Sequence, residues 1–380
     1  MFSIRGNTVR PIVLIVGLLP PPFGGVPCMV ELQLHSCLSE EFDLHVVDIS
    51  KRELRIAVEK PTWRSITYFM RDFGRLIRAL ILIRPVVVIV HAAPSLSFLR
   101  DWIFMVLSRL SRAKVICHYH GTLHTRFPSC ETSSGRRIGR LLMRAAHRII
   151  VVGPTYQRRM GQAWHRPDIV WTPNVVDTSL FRDGTLLQPA PWSIAGGRSV
   201  LFVGRLSAAK GIWDLLDAVP LVLQRFPKTK FVLVGVAENT ARETDLRREV
   251  ERRGLKECIV FLGPLMGREK AQAFLASDML VVPSWTEAFP LVIPEAMAAG
   301  IPIIATEVGA IPDFVMDGAD GFLIPARDPS ALADRICRLL NDDALRISIG
   351  KRLRHRAAAE FAIDVGCRQV ASVVRELIAN

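Results

Sequence analysis

The chain has 380 residues, enough for two ordinary domains, and its composition of 50% hydrophobic and 22% charged residues excludes a disordered scaffold. Basic residues exceed acidic ones by 13, and the whole excess lies in residues 1–200, which hold 26 basic and 13 acidic side chains against 23 of each in residues 201–380. The first half is therefore expected to face an anionic partner, such as nucleic acid, a membrane surface or a phosphorylated substrate.

Short Val/Ile-rich runs alternate with helical patterns in the first half, as in a parallel sheet covered on both faces. The predicted strands are 12–17, 43–48, 86–91, 114–118, 148–152 and 168–172, and the predicted helices lie near 27–40, 64–83, 96–112, 135–147 and 155–163. The stretch from Arg5 to Leu19 imitates a signal peptide, but three prolines follow it and no small-x-small cleavage site is evident. We interpret it as containing a buried first strand.

The alternation breaks at residues 177–198, which are rich in Pro and Gly, and then restarts. The second set of predicted strands is 199–204, 230–235, 258–262, 278–282 and 301–305, and the helices lie near 211–226, 239–253, 268–277, 291–299, 328–340, 343–359 and 362–378. This predicts an α/β protein of two doubly wound, Rossmann-like domains facing across a cleft. The first domain is 1–176, the linker 177–198, the second domain 199–360, and the helix 361–380 packs back on the first domain.

Ligands of doubly wound sheets bind beyond the carboxyl ends of the strands, so the residues after each strand are the candidates for a site. Gly204-Arg205-Leu206, followed by Lys210-Gly211, comes directly after a strand and opens a helix. Two cations beside free N–H groups form a phosphate site by geometry and charge. The alternative is that both are solvated loop charges.

The loop after strand 278–282 carries Glu287, and the helix that follows carries Glu295. At a separation of eight residues they do not share a helix face, but both can point into a cleft and accept hydrogen bonds from the hydroxyls of a polyol. The N–H groups of residues 289–291 at the helix start can take a phosphate. Two glutamates at this spacing also occur by chance, so the pair alone is weak evidence.

Two sets of first-half residues follow strands in the same way. Gly24 and Gly25 lie between the first strand and a helix, where glycines let the backbone approach a ligand or simply form a turn. His118 and His120 end the strand 114–118. They suggest a metal site only weakly, because no third ligand is spaced nearby, and we predict no metal. The seven cysteines include no C-x-x-C pair and are expected to be buried thiols of a reducing cytosol.

The basic excess is densest in residues 51–150, which hold 19 basic and 5 acidic side chains. Helix 64–83 has Arg71, Arg75 and Arg78 on one face and apolar residues, expected to be core, on another, while Arg140, Arg144 and Arg148 repeat at helical spacing. An ordinary solvated helix face is one explanation. An anionic membrane surface is another, since each basic group contributes on the order of 1 kcal/mol there. Nucleic acid competes for the same charge, but no recognition motif accompanies it, so none is predicted as a partner.

The run SWTEAFPLVIPEAMAAGIPIIAT, with VGRLSAAKG before it, resembles family 4 of the retaining glycosyltransferases, which has the two-domain B-type fold. Further matches are the segment from Pro173 to Asp177, and Gly309, Asp317-Gly318 and Gly321 near the end. Ala288 stands where the family usually has glycine. The chain contains no D-x-D triplet, which argues against the metal-dependent, single-domain class of glycosyltransferases.

The resemblance implies roles residue by residue. Arg205 and Lys210 would neutralise the diphosphate of a sugar nucleotide, Glu295 would hold the ribose, and Glu287 would contact the transferred sugar. The main chain of Phe289, Pro290 and Leu291 would line the sugar and the distal phosphate, the loop of Gly24 and Gly25 would close over the donor, and His120 would contact the sugar. The catalytic candidates are Glu287, His120, Arg205 and Lys210.

These patterns and the resemblance predict a retaining glycosyltransferase that moves a hexose or N-acetylhexosamine from a nucleoside diphosphate sugar to a glycan or lipid-linked glycan, in cell-surface polysaccharide or lipopolysaccharide synthesis, without cofactor or metal. No run reaches the about 18–20 apolar residues of a spanning helix, so a cytoplasmic protein, peripheral at the inner face of the membrane, is expected. The alternatives are a sugar-nucleotide epimerase and a non-catalytic sugar-nucleotide-binding subunit of a membrane assembly.

Overall fold

The computed structural model describes residues 10–21, 24–50, 63–94, 97–122, 130–181, 192 and 197–379. In the first half, six parallel strands form one sheet in the order β2-β1-β3-β4-β5-β6. The strands are β1 Ile12–Gly17, β2 Asp43–Asp48, β3 Val87–Ala92, β4 Lys114–Tyr119, β5 Arg148–Val151 and β6 Ile169–Trp171. Every residue of β3 is buried, because helices cover both faces of a central parallel strand.

The helices of the first half lie in the connections between these strands. They are α1 Gly25–Leu34, α2 Leu38–Glu41, α3 Trp63–Leu82, α4 Ser97–Leu110, α5 Ser133–Met143 and α6 Pro154–Trp164. The start of α5 is fixed by Thr132, whose hydroxyl accepts a hydrogen bond from Gly135 N at 3.0 Å. The predicted strands and helices are confirmed, except that the predicted helix near 27–40 is divided into α1 and α2. Arg148 lies on β5, whereas Arg140 lies on α5 and Arg144 caps its end.

The second sheet also has six parallel strands, in the order β12-β11-β10-β7-β8-β9. Its strands are β7 Arg198–Val203, β8 Thr229–Val234, β9 Ile259–Gly263, β10 Met279–Val282, β11 Ile303–Thr306 and β12 Gly321–Ile324. The first five correspond to predicted strands. The sixth, β12, was not predicted, because four residues are too few to show a period.

The second half contains α7 Ile212–Leu223, α8 Thr240–Arg252, α9 Gly267–Leu275, α10 Val292–Ala299, α11 Ile311–Phe314, α12 Pro329–Leu340, α13 Asp343–Arg356 and α14 Ile363–Ala379. A π-turn, Ala357–Phe361, joins the last two helices. The α/β class with two doubly wound domains is therefore confirmed. Most of the predicted linker, 177–198, lies outside the described residues, apart from a 3₁₀ turn at Thr178–Phe181 and its ends.

The last helix, α14, packs on the first sheet rather than on the second. Cys367, Val370 and Val374 share an apolar cluster with Val13 and Val87. The chain crosses between the halves where Val176 N donates to the carbonyl of Phe361 at 2.8 Å. The end of the chain thus connects back to its beginning.

Helix α3 differs from the expectation that its whole apolar side is core. Leu76 and Leu80 are buried, but Ile66, Met70 and Ile81 are exposed and Trp63 is 85% exposed. Periodicity identifies the faces of a helix but not which face is covered. No described helix is both long and apolar enough to span a bilayer.

Candidate functional site

The loop after β7 carries two cationic side chains, of which one is ion-paired and the other is not. Lys210 ends a 3₁₀ turn, Ala208–Lys210, and its ammonium group forms an ion pair with the carboxylate of Glu287. The guanidinium of Arg205 has no hydrogen bond or ion pair with any described residue, although its carbonyl accepts a hydrogen bond from Ser207 N at 2.9 Å. The turn is fixed by Gly211, whose φ of 73° disfavours other residues and whose Cβ would lie 1.9 Å from the carbonyl oxygen of Pro283. Lys210 is thereby held against the loop that carries Glu287, 77 residues later.

Glu287 is a buried carboxylate, only 9% exposed. Besides Lys210, its Oε1 accepts a hydrogen bond from the hydroxyl of Ser284 at 2.9 Å. A buried charge is tolerated when it is paired and hydrogen-bonded, and both conditions are met here. The pair Lys210–Glu287 therefore joins the predicted phosphate loop to the predicted sugar contact.

The backbone of this acidic loop is held from several sides. The hydroxyl of Tyr156, on α6, donates to the carbonyl of Glu287 at 3.1 Å, and the amide of Asn174 donates to the carbonyl of Phe289. Gly309, at φ 63°, approaches so closely that a Cβ would lie 2.0 Å from the Glu287 carbonyl oxygen. Residues of both halves thus fix where the Glu287 side chain stands, as a preorganised site requires.

Glu295 lies in the first turn of α10 and has a different cation as its partner. Its Oε1 accepts a hydrogen bond from Lys270 Nζ at 2.6 Å, while its Oε2 is buried and bonds to no described residue. Burial raises the pKa of Glu295, and Lys270 opposes that shift. Glu295 Oε2 is thus an acceptor without a donor among the described residues.

Phe289, Pro290 and Leu291 lie between these two carboxylates, just before α10. Among the described residues, no acceptor pairs with the N–H of Phe289 or Leu291, so both are available to an anion. Gly25 starts α1 on the other side, where a Cβ would lie 3.9 Å from Leu291 Cδ1. Gly24 is extended and precedes that helix, while the preceding residues 22–23 are not described.

His120 follows β4, and its surroundings differ from the expectation. A third histidine is close, because the register of β3 and β4 pairs His91 with His118. Candidate ligand atoms of His91, His118 and His120 all lie within 4.8 Å of one another, so the argument that no third ligand is near was wrong. Desolvation lowers the pKa of His120 to about 4. No hydrogen bond among the described residues connects His120 with Glu287 or Lys210.

Whether these histidines fit a metal ion depends on where their nitrogens point. His91 Nδ1 lies 2.9 Å from His120 Nε2, the rings are 10° from parallel, and their centroids are 5.1 Å apart. These values describe an edge-to-edge N–H···N hydrogen bond, in which the two nitrogens face each other. Zinc ligands instead direct lone pairs at an ion about 2.0–2.1 Å from each nitrogen. In this arrangement the His91 and His120 nitrogens are hydrogen-bonded to each other.

Several residues that shape this site were not predicted from the sequence: Gln33, His91, Tyr156, Asn174, Lys270 and Ser284. His91 ends a predicted strand, and Asn174 lies within a matched motif, so a search of strand ends would have found them. Lys270 carries no local signal, since it sits on a predicted helix 25 residues before Glu295. Together the described residues offer three cations, free N–H groups and two carboxylates, a set that can bind an anion beside a polyol.

Comparison with known proteins supports this description. The family model described as "Glycosyl transferases group 1" matches residues 197–342, and that described as "Glycosyltransferase Family 4" matches residues 37–180. Together they cover about three quarters of the chain.

Among curated relatives, D-inositol 3-phosphate glycosyltransferase of Corynebacterium jeikeium is 37% identical over 182 residues, which cover 46% of this chain and 43% of that protein. Phosphatidyl-myo-inositol mannosyltransferase of Mycobacterium leprae is 37% identical over 181 residues, covering 47% of this chain and 46% of that protein. The chain thus spans about half the length of the curated relatives it matches.

Solved structures agree over nearly the whole chain. The Anabaena protein HepE in complex with UDP superposes with a TM-score of 0.75 at 19% identity, covering 97% of this chain and all of that one. Sucrose-phosphate synthase from Thermosynechococcus elongatus gives 0.73 at 21% identity, covering 97% of this chain and 99% of that one. The expected two-domain B-type fold is confirmed, and with the two family models this places the chain in glycosyltransferase family 4, the group 1 glycosyl transferases.

Proposed function

We propose that this protein is a retaining glycosyltransferase that takes a hexose or N-acetylhexosamine from a nucleoside diphosphate sugar. The observation that supports this most directly is Arg205, a cation with no partner among the described residues, in the same loop as Lys210. The unpaired N–H groups before α10 add further positive potential beside them. An unpaired cation in a loop that the Lys210–Glu287 ion pair joins to the segment with free N–H groups favours a diphosphate over a neutral ligand.

In this proposal each side chain contacts a different part of the donor. Arg205, Lys210 and the start of α10 stabilise the diphosphate as its bond to the anomeric carbon breaks, because charge develops there in the transition state. Glu287 contacts the transferred sugar, and the free Oε2 of Glu295 accepts a ribose hydroxyl. The oxygen of the acceptor hydroxyl bonds to the same anomeric carbon, and its proton passes to the departing diphosphate. No metal is assigned to any of these steps.

The chemical class of the acceptor is inferred from charge. The two curated relatives are named for inositol phosphate and phosphatidylinositol acceptors, and the first half of this chain is basic. An anionic acceptor, such as a lipid-linked glycan carried on a diphosphate, suits both facts. We propose that the chain acts in the synthesis of cell-surface glycans from the cytoplasmic side.

We propose that the surface of the first half docks on an anionic membrane. Trp63, Ile66 and Met70 are exposed on one stripe of α3, and Arg78 continues it. Apolar side chains that insert at a lipid interface and basic side chains that attract anionic headgroups are the two components of peripheral binding. Exposed Ile138 and Leu141 on α5, with Arg137 and Arg144, repeat the combination.

The test is a calorimetric screen of UDP-, GDP- and ADP-sugars. The best donor is then incubated with phosphoinositide and polyprenyl-diphosphate-linked acceptors, and the products are analysed by mass spectrometry for transfer and by ¹H NMR for anomeric configuration and sugar identity. We expect one nucleoside diphosphate to bind and its sugar to appear on an acceptor with the anomeric configuration retained. Inversion of that configuration would contradict the retaining mechanism. A sugar nucleotide converted to its epimer, with no transfer, would favour an epimerase instead, and binding without any turnover would favour a non-catalytic subunit.

A further inference from the structure

A continuous hydrogen-bond chain runs from α1 to His120. Gln33, on α1, places its Oε1 3.0 Å from His91 Nε2, and His91 Nδ1 lies 2.9 Å from His120 Nε2. Gln33 and His91 are buried, at 1% and 3% exposure, while His120 is only half-buried. The hydrogen-bond chain therefore begins in the core and ends at His120, which directly follows β4 at the carboxyl edge of the sheet.

The chemistry of these groups orders the protons along the chain. An amide oxygen only accepts, so His91 must donate its Nε2–H to Gln33. A neutral imidazole carries a single N–H, which leaves His91 Nδ1 with a lone pair that accepts from His120 Nε2–H. His120 is then protonated at Nε2, and its Nδ1 carries the lone pair.

The surroundings favour neutral rings throughout. Burial lowers the pKa of His91, and the neighbouring His120 lowers it further, since a second charge beside the first would be repelled. His118 packs near both rings, with centroids 4.8 Å from His91 and 4.4 Å from His120. Its Nδ1 is buried without a partner among the described residues, so it stands outside the chain.

We propose that His91 and Gln33 are positioning residues that hold His120 as its Nε2-protonated tautomer, with Nδ1 free to accept a hydrogen bond from a substrate hydroxyl. The substrate part rests on the proposed function, in which His120 contacts the transferred sugar. The tautomer part depends only on the contacts described above. When one ring nitrogen of a histidine is hydrogen-bonded to a buried partner, that bond sets which nitrogen carries the proton and which is left to contact the substrate.

The experiment has a spectroscopic part that needs no substrate. In protein labelled with ¹⁵N-histidine at pH 7, we expect His120 to show a protonated Nε2 and an unprotonated Nδ1, assigned by comparison with His120→Gln. Gln33→Met keeps the length of the side chain but removes the acceptor, and is expected to convert His120 to a mixture of tautomers. Gln33→Glu keeps an acceptor and should retain the wild-type tautomer, and His118→Asn is the control for a neighbouring buried histidine that should have no effect on it.

The kinetic part tests positioning. With the donor found in the screen, Gln33→Met should lower kcat about tenfold to a hundredfold, by analogy with the loss of residues that orient metal-bound histidines, while KM for the donor stays the same. Gln33→Glu should recover most of kcat. A His120 protonated at Nδ1 in the wild type, or tautomer and kcat both unchanged in Gln33→Met, would overturn the proposal. Failure to turn over any sugar nucleotide would refute the proposed function alone, since the spectra would still decide the tautomer.

Discussion

Replacing Lys210 by Met tests whether this residue binds the donor or only stabilises its buried partner. The Lys210 side chain is 33% exposed, whereas the Glu287 side chain is only 10% exposed, so the change leaves a carboxylate that water reaches poorly. Removing one member of a buried pair costs about 3–5 kcal/mol, and the exposure of Lys210 and the remaining Ser284 hydrogen bond reduce this to about 2–3 kcal/mol. We therefore expect the free energy of unfolding to fall by about 2–3 kcal/mol.

A second variant, Glu287→Gln, removes the negative charge but keeps a side-chain oxygen that can accept the hydrogen bond from the Ser284 hydroxyl. Alone, Glu287→Gln should lower the free energy of unfolding by about 1 kcal/mol, because the Lys210 left without its partner is partly solvated. The double variant should be more stable than Lys210→Met, with a coupling energy of about 1–3 kcal/mol between the two changes, because no unpaired buried charge remains. Urea unfolding of the four proteins measures this coupling.

Nucleotide affinity should behave differently from stability. If Lys210 contacts the diphosphate, Lys210→Met loses about 1.5–3 kcal/mol of binding free energy, and Glu287→Gln does not restore it. Calorimetry with the best nucleoside diphosphate measures the affinity of each variant, and Arg205→Ala is the matched control, a cation with no intramolecular partner to lose. Recovery of nucleotide affinity in the double variant would refute direct phosphate binding by Lys210, and unchanged stability in Lys210→Met would refute the importance of the pair.

Four further predictions concern separate features. Glu295→Ala should weaken free nucleotide binding at least tenfold while Glu287→Ala spares it and loses turnover; equal losses of affinity would contradict the two roles. Activity should survive EDTA, because Arg205, Lys210 and helix N-termini supply the positive charge; loss on chelation, restored by magnesium or manganese, would count against this. The folded pKa of His120, about 4, lies below its ordinary 6.5, so the unfolded state binds the proton first and stability should be full above about pH 6.5 and fall towards pH 4, by up to about 3 kcal/mol from this residue. Urea unfolding at both pH values should show a smaller drop in His120→Gln than in the exposed control His355→Gln, and identical drops would be inconsistent with a neutral His120 ring in the folded state. Sedimentation with anionic vesicles at low salt should fall when the exposed Arg78, Arg137 and Arg144 become Gln, but not when Arg242, Arg248 and Lys256 of the neutral half do; wild type that remains in the supernatant would exclude the membrane face.

The sequence was sufficient for most of the architecture. Runs such as 12–17 and 86–91 become strands because a parallel strand buried on both faces needs uninterrupted Val and Ile, and that requirement is local. The motifs after β7 and β10 were equally local, since a cation or carboxylate that follows a strand stands at the ligand edge of the sheet. Fold, family and the candidate residues of the second half could therefore be predicted. Each of these predictions depends only on residues that are close together in the sequence.

Tertiary structure decided which of these residues meet. His91 reaches His120 across 29 residues through the register of β3 and β4, and Lys210 reaches Glu287 across 77 residues through the packing of two loops. The exposed stripe of α3 was likewise undetermined, because periodicity separates two faces without saying which one other elements cover. Pairing and burial depend on chain segments far apart in sequence, so the hydrogen-bond partners, pKa values and exposed surfaces that control the chemistry emerge only when the two sheets are assembled.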